Sequence, residues 1–138
     1  MITYEKVLVL KNVALFENAS ELALSDLISV AQEHKLKSGE VLLEANQKND
    51  HLFVILSGML EQVVNKKTIQ EFGPRQILGE TTVFSPASLG GEIRAKEKTF
   101  LLQVSSEQLY RVMALHPTLA YSFLEELSRR LRLLEKKD

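Results

Sequence analysis

The sequence predicts a mainly β protein with flanking helices, its short strands closing into a barrel or sandwich. Three observations carry this. An apolar helical period occupies part of the first third. A long middle stretch is cut by closely spaced turn-forming pairs. Helical period then returns and holds to the end.

In chain order, Ser20 is placed to cap a helix. Leu24, Leu27, Ile28 and Ala31 follow at i, i+3, i+4 and i+7, one apolar face. From Gly39 to Phe100 the punctuation is dense: Ser38-Gly39, Asn49-Asp50, Ser57-Gly58, Asn65-Lys66, Gly73-Pro74 and Gly90-Gly91. Between these lie β-favouring runs, Val41–Leu43, Leu52–Leu56, Leu60–Val64 and Thr99–Val104. Such short strands at such spacing belong to barrels or sandwiches. Ser105 with Gln108 has the capping-box pattern. Pro117 opens a second C-terminal helix, because proline is tolerated in a first turn and not inside. Leu124, Leu127, Leu131 and Leu134 then mark one stripe, flanked by the i, i+4 pairs Glu125–Arg129 and Glu126–Arg130.

Composition narrows the function. The 138 residues make one domain, 1–138, and 45% hydrophobic content is enough for a core. A formal net charge of −1 gives no global pull toward nucleic acid or an anionic membrane. The absence of cysteine excludes disulfides, thiolate metal sites and cysteine nucleophiles, and fits a cytoplasmic setting. The first residues, MITYEKVLVLKN, lack the pattern of a signal peptide. No apolar run approaches the roughly 20 residues of a membrane-spanning helix. His34, His51 and His116 are scattered without metal-ligand spacing, so no metal is expected. No nucleophile elbow, zinc-protease or phosphate-loop motif occurs, and the chain is expected not to be an enzyme.

The stretch Leu78–Lys96, LGETTVFSPASLGGEIRAK, carries the chemistry. Gly79-Glu80 opens a short turn, Pro86 interrupts it, and Gly90-Gly91 leads into the alternating strand Glu92–Ala95. Glycines let backbone N–H groups approach an anion closely, and a helix start beside them adds positive dipole. A carboxylate at the opening can accept from sugar hydroxyls. Taken singly, these glycines are ordinary turn glycines and Glu80 could simply be structural; their combination points to a pocket.

This stretch resembles the phosphate-binding cassette of the cyclic nucleotide-binding domain family. The resemblance extends over roughly Leu10 to Leu134. Leu15-Phe16 before Ser20, Gly39–Leu42, the run Asn49–Gly58, Phe72-Gly73-Pro74 before Gly79-Glu80, Ile93–Lys96, Pro117 and Ser128–Leu131 follow the family's order. It implies a double-stranded β-helix, a jelly-roll-like β-roll at about 36–104, with an N-terminal helix and two C-terminal helices at about 106–136. It also implies ligand roles. Gly79 supplies a backbone N–H, Glu80 accepts from the ribose 2′-hydroxyl, and Thr81 and Thr82 sit in a short helix facing the phosphate. Leu89 and Gly90 fall where the family has arginine and then a small residue. An aliphatic side chain can neither neutralise a phosphate nor fork hydrogen bonds to it. Arg94 and Arg75 are the cations offered as compensation.

Two functions are therefore expected in competition. In the first, the domain is a regulatory sensor. It binds cyclic AMP, cyclic GMP or another small anionic ligand, weakly or in altered form, and relays the event through the C-terminal helix. It needs no cofactor beyond that ligand. In the second, it is a degenerate, ligand-free dimerisation or protein-interaction module. A homodimer through the leucine stripe is expected in either case. Arg129, Arg130, Arg132, Lys136 and Lys137 read as a solvated helix flank, with no direct nucleic-acid contact and no membrane insertion.

Overall fold

A computed structural model describes residues 1–136; Lys137, the last residue of the basic run, lies outside the described residues. The chain divides into two compact units. One is Ala31–Glu107, and the other is Met1–Val30 with the C-terminal segment from Gln108.

The first unit holds eight strands: β1 Gln32–Leu36, β2 Val41–Leu43, β3 His51–Ser57, β4 Leu60–Val64, β5 Lys67–Phe72, β6 Ile77–Leu78, β7 Glu92–Ala95 and β8 Thr99–Ser105. They form two antiparallel sheets of four, ordered β1-β8-β3-β6 and β2-β7-β4-β5. This interleaving is the jelly roll, so the predicted mainly β sandwich with flanking helices is the observed architecture. The core lies between the sheets. Leu36, Phe53, Ile55, Leu78 and Leu101 come from one, and Leu43, Leu60, Ile93 and Ala95 from the other. Strand β3, paired on both sides, is buried without interruption from Leu52 to Leu56. Its opposite is β5, an almost wholly exposed polar edge.

The roll begins at Gln32 rather than near residue 36. Strand β1 is polar, and it is set by its register on β8, from Gln32 opposite Gln103 to Leu36 opposite Thr99. The hairpin joining β4 to β5 turns at Asn65 and Lys66, both at positive φ (51° and 64°). A register shift between Gln62 and Val63 then places Gln62 opposite Gln70.

The second unit contains α1 Thr3–Lys11, a 3-10 turn at Ala14–Phe16, α2 Glu21–Val30 and α4 Pro117–Glu135. Helix α3, Ser106–Leu115, begins directly after Ser105, as the capping pattern predicts. The predicted N-terminal helix is α2. Its cap is as expected, with Ser20 Oγ accepting from the Ala23 N–H at 3.1 Å, and Leu24, Leu27 and Ile28 are buried. It stops at Val30, whose carbonyl accepts from the Gln108 amide, so Ala31 lies beyond the helix. Helix α1 has no counterpart among the sequence expectations. Its apolar residues do not gather on one face: Val7 and Leu10 are buried, Tyr4 and Leu8 exposed.

Helix α4 opens on Pro117 as predicted. The Phe123 ring meets Phe16 at 5.6 Å between centroids, and Ser122 Oγ accepts from the Asn18 N–H. Of the two expected ion pairs, Glu126–Arg130 forms at 2.8 Å. Arg129 bonds Glu126 instead of Glu125, because Glu125 accepts from the Asn18 amide at 2.7 Å. The Arg129 hydrogen bonds, followed by those of Arg130, hold the Glu126 carboxyl down to a pKa of about 2. Leu124, Leu131 and Leu134 are about three-fifths exposed.

Candidate functional site

The loop from β6 to β7 is built from two limbs. In the first, Gly79 has a φ of 91°, and a Cβ there would collide with the His51 carbonyl oxygen. The chain can pass only as glycine. Behind it sits Asn49, 2% exposed. Its amide donates to the His51 carbonyl at 2.7 Å and to Thr82 Oγ1 at 3.1 Å. Asn49 also bridges to Ala87, so it braces the loop at two points. The Gly79 carbonyl accepts from the N–H groups of both Thr82 and Val83. A second turn follows, the Ser85 N–H donating to the Thr82 carbonyl at 3.2 Å. The short helix expected at Thr81 and Thr82 is absent: residues 80–85 form successive turns and bends, with Thr82 and Val83 buried.

In the second limb, Ser88 Oγ donates to the Ala45 carbonyl at 2.7 Å and accepts from the Gly90 N–H at 3.1 Å. The Gln62 amide donates to the carbonyls of Leu89 (2.9 Å) and Gly90 (3.1 Å). Leu89 packs on the core of the roll, as Phe72 and Leu42 also do. Gly91, at a φ of 152°, passes so close to β4 that a Cβ would lie 2.8 Å from Val64 Cγ2.

The limbs enclose a hollow of about 200 Å³. Gly79, Glu80 and Thr81 line one side and Leu89 the other. Gln62, Gln70 and Phe72 from β4 and β5 and Ile77, Leu78 and Ile93 complete it. Four of the seven residues named from the sequence, Gly79, Glu80, Thr81 and Leu89, thus converge. Thr82 is buried behind the wall and Gly90 lies outside the lining, its carbonyl taken by Gln62.

Arg94 is a correction. Strand β7 alternates with Ile93 and Ala95 buried, so Arg94 projects from the other face. There it lies 3.5 Å from Glu61 and 3.7 Å from Glu92. It lines a separate open depression with Ala45, Val63, Asn65 and Lys66. Glu61 is kept below the usual carboxylate range, first by the Thr68 hydroxyl at 2.7 Å and then by Arg94. Arg75 is exposed in the turn before β6 and is absent from the hollow. Among the lining residues, Glu80 is the sole ionisable side chain.

Sequence reasoning missed Gln62 and Gln70. Counting back from the Asn65-Lys66 turn pairs Gln62 with Ile69; only the bulge brings the two amides opposite each other.

A profile described as "Cyclic nucleotide-binding domain" matches residues 33–116. The potassium channel KOR2 of Oryza sativa subsp. japonica is 27% identical over 109 residues, covering 75% of this chain and 15% of the channel. Curated relatives are spanned over only 14% to 36% of their length. The N-terminal domain of a transcriptional regulator from Streptomyces coelicolor A3(2) superposes with a TM-score of 0.84 at 22% identity, covering 94% of each chain. The catabolite activator protein of Thermus thermophilus gives 0.74 at 21% identity, covering 88% of this chain and 60% of that one. At these identities the structures speak for the fold.

Proposed function

We propose that this chain, which belongs to the cyclic nucleotide-binding domain family, is a regulatory domain that senses a small ligand in the hollow beside Gly79–Thr81, binding cyclic nucleotides weakly or in altered form. The occupied hollow would favour one position of the C-terminal helix, and that shift would pass to a partner or an attached domain in the cytoplasm. The observation that carries this reading is Leu89. It stands where the family resemblance places an arginine, lines the hollow, and is packed against the roll. On this reading the loop still frames a hollow while the side chain at position 89 brings no cation to it.

Calorimetry with cyclic AMP and cyclic GMP tests this. The wild-type chain should give little or no heat, and Leu89→Arg should gain affinity. A charge-assisted pair in a partly buried site is worth about 2–5 kcal/mol, so the gain should be on the order of thirtyfold or more. If Leu89→Arg stays as blind to both nucleotides as the wild type, the hollow is not a cassette site.

A second reading, a ligand-free interaction module, is favoured by Leu124, Leu131 and Leu134, which are exposed along α4. A homodimer through this stripe would bury them. Light scattering should then show a dimer in the wild type and a monomer in Leu131→Glu/Leu134→Glu, whatever nucleotide is added. A monomeric wild type removes this use of the stripe.

A further inference from the structure

We propose that the open depression around Arg94 is a second small-molecule site, built for an acidic α-amino acid. It lies across the same two strands that wall the hollow, on their other face. Gln62 of β4 and Ile93 of β7 line the hollow, while Val63, Glu92 and Arg94 line the depression. The depression encloses about 500 Å³, within the roughly 300–1,000 Å³ of small-molecule sites.

Charge is the first ground. The lining carries two cations, Lys66 and Arg94, and one carboxylate, Glu92. The matching ligand has two negative groups and one positive. An acidic amino acid at neutral pH is such a molecule, whereas a simple anion leaves the Glu92 carboxylate facing a like charge.

Geometry is the second. Arg94 Nη1 stands 3.7 Å from Glu92 Oε1, and Nη2 stands 3.5 Å from Glu61 Oε1. Both distances exceed the roughly 2.7–2.9 Å of a closed charge-assisted hydrogen bond. The Glu92–Arg94 pair is partly exposed as well, so a ligand enters between its members at small cost. Buried Glu61, which already accepts from the Thr68 hydroxyl, stays behind as counter-charge to the guanidinium. Opposite charges set this close suit the head of an α-amino acid, whose ammonium and carboxylate hang from one carbon. The carboxylate takes the planar fork of Arg94, and the ammonium takes Glu92.

Lys66 supplies the third ground. It is the second of the two turn residues joining β4 to β5, at a φ of 64° where glycine is favoured. A lysine there strains the backbone, and it sets a cation in the lining of the depression. The side-chain carboxylate of the ligand pairs with it.

L-Glutamate, glutarate and L-alanine are matched probes; the second lacks the ammonium and the third the side-chain carboxylate. Titrated into the chain at constant ionic strength and followed by amide chemical shifts, L-glutamate should move Asn65, Lys66, Glu92 and Arg94. It should bind about tenfold more tightly than either of the others. Lys66→Asn keeps a residue tolerant of positive φ and should bring L-glutamate down to the level of L-alanine. The proposal is overturned by L-glutamate leaving the four amides unmoved, by glutarate binding as tightly, or by Lys66→Asn binding as tightly as the wild type. It stands apart from the sensor reading, and either can fail without the other.

Discussion

The two limbs of the β6–β7 loop are ordered by different means. The limb at Gly79 is fixed by backbone geometry, with a positive φ where a Cβ has no room, and by a buried asparagine behind it. The limb at Leu89 is fixed by side chains, with Ser88 and Gln62 bonding its backbone and Leu89 resting on the core. The first limb can keep its shape whatever the ligand, since its constraints lie in the protein. In the second, the Gly90 N–H is spent on Ser88 Oγ and the Leu89 and Gly90 carbonyls on the Gln62 amide. One loop can thus be held by backbone exclusion at one end and by side-chain packing at the other, where Leu89 gains apolar contact with the core.

The sharpest way to break the comparison is Gly79→Ala. If the first limb is held by backbone exclusion, the methyl group and the positive φ together should cost about 3 kcal/mol or more in urea unfolding. A loss below about 1 kcal/mol would show a limb able to move aside, and the contrast would dissolve. A smaller effect is expected from Gln62→Ala. Removing one amide that donates twice should cost about 1–2 kcal/mol. Its distinguishing sign is local, with faster amide hydrogen exchange at Gly90 and unchanged exchange at Thr82 and Val83. Equal acceleration in both limbs would mean that they open as a unit.

Much of this was legible in the residue order. The turn pairs delimit β2, β3, β4 and β8, Ser20 and Pro117 mark helix starts, and Gly79, Glu80, Thr81 and Leu89, named from the family resemblance, line the hollow. Helix α1 was not legible, because its apolar residues are split between a buried and an exposed side. Strand β1 was not legible either, because a polar edge strand takes its identity from the neighbour it pairs with.

The amino-acid order alone determined the alternation of short strands and helices and the glycine-framed loop, since these follow from periodicity and from backbone freedom at single residues. The fold decided which way the loop's surroundings point. One bulge between Gln62 and Val63 aligned two amides across β4 and β5, and the parity of β7 turned Arg94 to the opposite face. Side-chain direction in a sheet flips with every residue of register, and register is settled between strands, not within one.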